Sequence, residues 1–115
     1  MNGNRTRFFP QNYIADVTNA ICLKNVSNQL ISTLKEMGAY HEEFAGEEYW
    51  IIKYADDNEL FSKLLELNRM GFLFVDEPAG WPPAAVFEHL QEKYHINEKF
   101  KKVTWRGPGD WIIIE

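Results

Sequence analysis

The 115-residue sequence predicts a single α+β domain, a mixed or mainly antiparallel sheet of about five strands with three to four helices packed on it. Three observations lead there. Segments with apolar residues at helical spacing alternate with short apolar or alternating runs of strand length. Glycine, proline and asparagine fall between these segments as turn formers. The chain also closes on two strand-like runs about Gly107-Pro108-Gly109, with Trp105 on one side and Trp111 on the other. An exposed edge of Ile112, Ile113 and Ile114 would invite aggregation, so an interior position is expected for that last strand.

Residues 1–9 read as a flexible lead and 10–115 as the domain. Pro10 suits the first turn of a helix, where its missing N–H costs nothing. Tyr13, Ile14, Val17, Ala20 and Ile21 follow one helical face. The alternation of Tyr13, Ala15 and Val17 fits a strand as well; the element order below takes the helix. The next helix has Asn25 or Ser27 as cap, a stripe of Val26, Leu30, Ile31, Leu34 and Met37, and Gly38 as left-handed terminator. Runs 40–44 and 48–54 flank Ala45-Gly46-Glu47 and read as a hairpin. Both faces of the second run are largely apolar, which places it near the sheet centre.

Asp56 with Glu59 three residues on resembles a capping box, and the acids suit the helix dipole. Leu60, Phe61, Leu64, Leu65 and Leu67 fill that helix and Gly71 ends it. Phe72–Val75 is a short apolar strand. A Pro-rich loop, 76–83, then opens a last helix whose buried face is Val86, Phe87, Leu90 and Tyr94. The order is α, α, β, β, α, β, α, β, β.

Composition narrows the function classes. Hydrophobic residues make up 45% and aromatics 15%, which suffices for a core without staples. A single cysteine, Cys22, rules out an internal disulfide framework and fits a reducing compartment. The first residues carry two arginines but no apolar stretch behind them, so no secretory signal is expected. No apolar run reaches the ~20 residues of a membrane span. A cytoplasmic protein without a membrane partner is the expectation.

Net charge is −5, unevenly spread. Eight acidic residues lie between 42 and 66 against Lys53 and Lys63, whereas Lys93, Lys99, Lys101, Lys102 and Arg106 face only Glu98 between 93 and 106. The acidic and basic hairpins are expected to present opposite electrostatic faces. An acidic domain is a poor general binder of nucleic acid, because phosphates dominate that affinity. It suits a basic protein partner.

No constellation of catalytic residues emerges. His41-Glu42-Glu43 supplies two ligands on one strand face, fewer than a zinc site needs, so a solvated face is the better reading. His89 and His95 lie six apart, outside the spacing that shares a helix face. Cys22 could pair with His41 as nucleophile and base only if the fold joined them; between Ile21 and Leu23 it reads as a buried small hydrophobe. Gly107–Asp110 lacks the spacing and following helix of a phosphate loop and matches a type II turn. Glu42 and Glu48 could flank a glycosidic bond, but pairs of acids arise without purpose in so acidic a segment. No metal or cofactor is expected.

Aromatics near loops stand out instead. Trp81, and Trp105 with Arg106, are of the types that anchor interfaces, although large aromatics equally fill small cores. The whole-chain character (small, single-domain, acidic, aromatic-rich, without a catalytic constellation) resembles that of immunity proteins. These are the antidotes bacteria carry beside contact-dependent or other polymorphic toxins; no diagnostic motif accompanies the resemblance. It implies a non-enzymatic protein that captures a toxin domain, a basic nuclease, and covers its active site. The partner-binding residues are then Glu42, Glu43, Glu47, Glu48, Asp56, Asp57 and Glu59, with Trp81, Trp105 and Arg106. The alternative is a small enzyme or ligand-binding domain with a pocket near Trp81 and His89. A third reading is a homo-oligomer joined at the closing hairpin.

Overall fold

A computed structural model of the chain describes residues 6–7, 10–77, 81–107 and 110–114. Its strands are β1 (Thr6–Arg7), β2 (Tyr13–Asp16), β3 (Ile21–Lys24), β4 (Tyr40–Phe44), β5 (Glu47–Ile52), β6 (Leu73–Val75), β7 (Lys102–Gly107) and β8 (Asp110–Ile114). Its helices are α1 (Asn28–Glu36), α2 (Asp57–Arg69) and α3 (Pro83–Lys93). The strands form one sheet in the order β1-β8-β7-β6-β2-β3-β5-β4. β6 runs parallel to both β2 and β7, and every other pairing is antiparallel. Among the described residues the chain adopts the expected α+β class with a mixed sheet, and has three helices where three to four were expected. Among the described residues the sheet has eight strands rather than about five, one of them the two-residue β1.

The extra strands come largely from 13–24, where a helix was expected and a hairpin stands. Asn12 and Asn25 take left-handed φ of +55° and +52°, a region asparagine tolerates better than most residues. Asn12 Oδ1 accepts from Ser27 N at 2.8 Å and Asn25 Nδ2 donates to the Pro10 carbonyl at 2.7 Å, tying the ends of β2 and β3 together. Between the strands, Asp16 Oδ1 accepts from Thr18 Oγ1 at 2.8 Å, and Tyr54 Oη donates to Val17 O at 2.5 Å. Ile14, Ile21 and Leu23 are fully buried on one face of this hairpin. Helical spacing had placed Ile14 and Ile21 inside, whereas the alternation of Tyr13, Ala15 and Val17 picks the strand face opposite to Ile14; the long-range partner β6 decides for a strand with Ile14 inward.

All three helices cover that one face. Leu34 of α1, Leu60, Phe61, Leu64 and Leu67 of α2, and Ala84, Phe87 and Leu90 of α3 share a core with Ile14, Ile21, Leu23, Ile52 and Phe74. At its centre the Phe74 and Phe87 rings stack at 4.6 Å, with Phe100 edge-on to both at 5.0 and 4.9 Å. Each fully buried ring of this kind contributes roughly 1.5–3 kcal/mol of transfer free energy. The other face of the sheet packs only strand side chains together: Leu73, Val75 and Val103, with Tyr13 and Trp111 against them.

Two further expectations change. β5 is one strand in from the edge, not central. β8 is flanked by β1, but the described pairing reaches only Trp111 and Asp110, and Ile113 and Ile114 are exposed. The Ile112–Ile114 run therefore lies near a margin of the sheet. Thr6 and Arg7, within the expected lead, pair with β8. The type II turn expected at 107–110 involves Pro108 and Gly109, which lie outside the described residues, as do 78–80 of the Pro-rich loop. Among the described residues no helix is long and apolar enough to cross a membrane.

Candidate protein-binding surface

Four of the acidic residues singled out above stand on one hairpin at the sheet margin. Its turn has φ of +53° at Ala45 and +81° at Gly46, the two left-handed residues of a type I′ loop. That turn sets the register: Phe44 opposes Glu47, Glu43 opposes Glu48, Glu42 opposes Tyr49, His41 opposes Trp50 and Tyr40 opposes Ile51. β3 accompanies β5 only from Trp50 to Ile52. The segment 42–49 consequently overhangs the sheet as a two-stranded arm, and all five residues of β4 are exposed.

Alternation divides the arm's side chains. Glu43 and Glu48 lie on the helical side with His41 and Trp50. Glu42 and Glu47 lie on the open side with Tyr40, Phe44 and Tyr49. Phe44 is 73% exposed, the highest exposure of any large hydrophobic among the described residues. No Lys or Arg occurs between 40 and 49, so the arm carries four carboxylates.

Two of those carboxylates hold the arm in place. Lys24 Nζ donates to Glu47 Oε1 at 2.9 Å, and Tyr49 Oη donates to Glu47 Oε2 at 3.1 Å. The Lys24 hydrogen bond, and then that from Tyr49, pull the Glu47 carboxyl below the usual carboxylate range. Burial opposes the charge on Lys24, but the Glu47 hydrogen bond and the neighbouring tyrosines outweigh it and raise its pKa. On the other side His41 Nε2 lies 3.2 Å from Glu48 Oε1, and its ring meets Trp50 edge-on at 5.3 Å. Glu42 and Glu43 make no ion pair among the described residues. They are the arm's uncompensated charges.

The remaining acidic residues sit elsewhere. Asp56, Asp57 and Glu59 begin α2, beyond the far end of β5, about 17–20 Å of strand away from Glu47. Asp56 accepts from Glu59 N at 2.9 Å as the helix cap, and Asp57 pairs with Lys93 at 3.2 Å. The acidic stretch of the sequence is thus two clusters, of which the α2 cluster is engaged in local structure.

The tryptophans separate likewise. Trp81, 68% exposed, precedes α3 on the helical side and meets His89 edge-on at 6.1 Å. Trp105, 51% exposed, opposes Trp111 on the open side of the sheet. The side chain of Arg106 lies outside the described residues. β4 and β7 occupy distant positions in one sheet, so the acidic and basic hairpins mark opposite flanks rather than opposite faces. Lys102 of the basic hairpin is neutralised by Glu88 at 2.6 Å.

Other pairings considered from sequence come apart in space. Cys22 shares the open side with Ile51, whereas His41 shares the helical side with Trp50, so the two form no nucleophile–base pair. Burial raises the Cys22 thiol pKa, followed in effect by Asp16 and Glu42, which disfavours a thiolate. Glu42 and Glu48 point to opposite sides and cannot flank one bond. Among the described residues no three His, Cys, Asp or Glu side chains converge as a metal site.

A groove of about 1220 Å³ lies along the C-terminal end of α3 and the segment 95–102, lined among others by Gln91, His95, Ile96, Phe100 and Lys102. Trp81 and His89, the pocket residues of the alternative reading, do not line it. Buried Gln91 Oε1 accepts from Glu98 N at 2.6 Å and holds this segment against the helix. Arg69 and Glu98 form an ion pair close by, which lowers the Glu98 pKa and raises that of Arg69.

Tyr40, Phe44 and Lys24 escaped the sequence reading. Acids on both faces of 40–44 carried a signal for them: a strand charged on both sides belongs at an edge. No protein-family model, curated protein or solved structure matches the chain.

Proposed function

We propose that this chain is a protein-binding antidote that captures a basic partner, a nuclease domain of a toxin, and covers its active site with the acidic arm. The observation that supports this reading most is the overhanging hairpin 42–49, whose Glu42 and Glu43 form no ion pair among the described residues and whose Phe44 stands in solvent. Such an arm raises the encounter rate with a cationic surface and competes with its nucleic-acid substrate. An exposed aromatic beside the charges adds the apolar contact that anchors interfaces.

The test is capture of the partner from cells expressing the neighbouring genes, followed by affinity measurement at low and high salt. The double variant Glu42→Lys, Glu43→Lys leaves both clamps of the arm intact. It is expected to weaken binding at least tenfold at low salt and to flatten the salt dependence. Unchanged affinity at low salt refutes the acidic-arm mechanism.

A further inference from the structure

Besides its charges, the arm carries backbone groups with no strand partner among the described residues. In a two-residue hairpin the residues flanking the turn exchange both hydrogen bonds, and bonded and non-bonded pairs then alternate along the strands. Phe44 with Glu47, Glu42 with Tyr49 and Tyr40 with Ile51 are the bonded pairs in this register. His41 and Glu43 therefore turn their N–H and C=O groups away from β5. β4 ends the sheet, so these four groups face outward.

We infer that β4 is a strand-addition site, and that its occupant is an extended, lysine- or arginine-bearing segment of a partner protein. The inference rests on the functional reading of the arm as the docking surface. Four outward peptide groups at two-residue spacing match the repeat of an incoming strand. Charge selects that strand. A second copy of this chain paired antiparallel through β4 would set Glu42 against its own equivalent, and like charges directly opposite destabilise a sheet. A basic segment would instead meet Glu43 and Glu48 on the helical side. On the open side, Tyr40 and Phe44 favour an aliphatic or aromatic neighbour beside Glu42. The partner's strand thus alternates basic and apolar residues.

A short capped peptide of alternating valine and lysine serves as probe, compared with the same peptide N-methylated on the amides of one edge. Both carry the same charge, but only the first can complete the ladder on both of its edges. The unmodified peptide is expected to bind wild-type protein and to slow amide exchange at His41 and Glu43. The N-methylated form is expected to bind about 30-fold more weakly when its blocked edge is the one that faces β4, for two lost hydrogen bonds. His41→Pro, which removes one outward donor together with the His41–Glu48 contact and leaves all four glutamates in place, is expected to act in the same direction. Because that variant risks misfolding, the peptide comparison on the unaltered chain carries the decision.

Absence of binding, equal affinity for peptides blocked on either edge, or unchanged exchange at His41 and Glu43 overturns strand addition. If any of these occurs while Glu42→Lys, Glu43→Lys still weakens capture of the cellular partner, strand addition alone falls and the functional reading stands. Charge-insensitive capture combined with protected His41 and Glu43 amides has the opposite meaning.

Discussion

The three helices end in the same way, and one of them ends on the wrong residue. At α1, Gly38 N donates to Lys35 O at 3.0 Å and Ala39 N to Leu34 O at 2.9 Å; at α2, Gly71 N donates to Asn68 O and Phe72 N to Leu67 O, both at 3.0 Å. These are the paired backbone bonds of a Schellman cap, with glycine in the left-handed position at φ +93° and +97°. At α3 the same bonds run from His95 N to Glu92 O at 3.3 Å and from Ile96 N to Gln91 O at 2.9 Å. Here the left-handed residue is His95, at φ +56°. A Cβ in that region costs about 1–2 kcal/mol. Glycine returns roughly 0.5–1 kcal/mol of that through the freedom it adds to the unfolded chain. His95→Gly is therefore expected to stabilise the fold by about 0.5–1 kcal/mol. Among the described residues the exposed imidazole has no ion pair or ring contact to lose.

Gly71→Ala supplies the opposite sign. An ideal Cβ at Gly71 would meet no atom within 4 Å, so the cost of about 1 kcal/mol is conformational alone. Urea unfolding followed by far-UV circular dichroism measures both, with midpoints moving by about 0.5 M in opposite directions at constant slope. A destabilised His95→Gly protein, or a Gly71→Ala protein with an unchanged midpoint, refutes the argument that left-handed strain governs these caps.

Two predictions concern the arm. Ala45→Asn places the preferred residue at the first left-handed position of the type I′ turn, and should stabilise the hairpin by about 0.5–1 kcal/mol. Slower amide exchange at Phe44 and Glu47 would show it; faster exchange would contradict the turn assignment. Lys24→Met removes the main cause of the depressed Glu47 pKa, so carbonyl-detected NMR titration should find that carboxyl moved up toward its ordinary range. A depressed acid stabilises the native state above its unfolded pKa and loses that contribution as pH falls through the folded pKa. The raised Lys24 stabilises below its unfolded pKa and loses its share as pH rises through the folded one. The clamp accordingly holds through neutral pH, and acid or strong alkali releases it in wild type only.

Local chemistry alone made much of the molecule legible. Gly38 and Gly71 announced two helix ends, and Asp56 with Glu59 announced the start of α2, because capping depends on a few adjacent atoms. A hairpin of runs 40–44 and 48–54 about Ala45-Gly46-Glu47 was legible; in the structure Glu47 already belongs to β5, which ends at Ile52. The hairpin's four glutamates could be named as one group because a hairpin brings near neighbours together. Packing decided the rest. Residues 13–24 satisfy both helical and strand periods, and only pairing with β6, some sixty residues away, removes the ambiguity. The acidic run of the sequence divides because β5 separates its two halves by the length of the strand. Which strand lies at the margin depends on the order of all eight. That order leaves the peptide groups of His41 and Glu43 facing outward, since an edge is a property of the whole sheet and of no single segment.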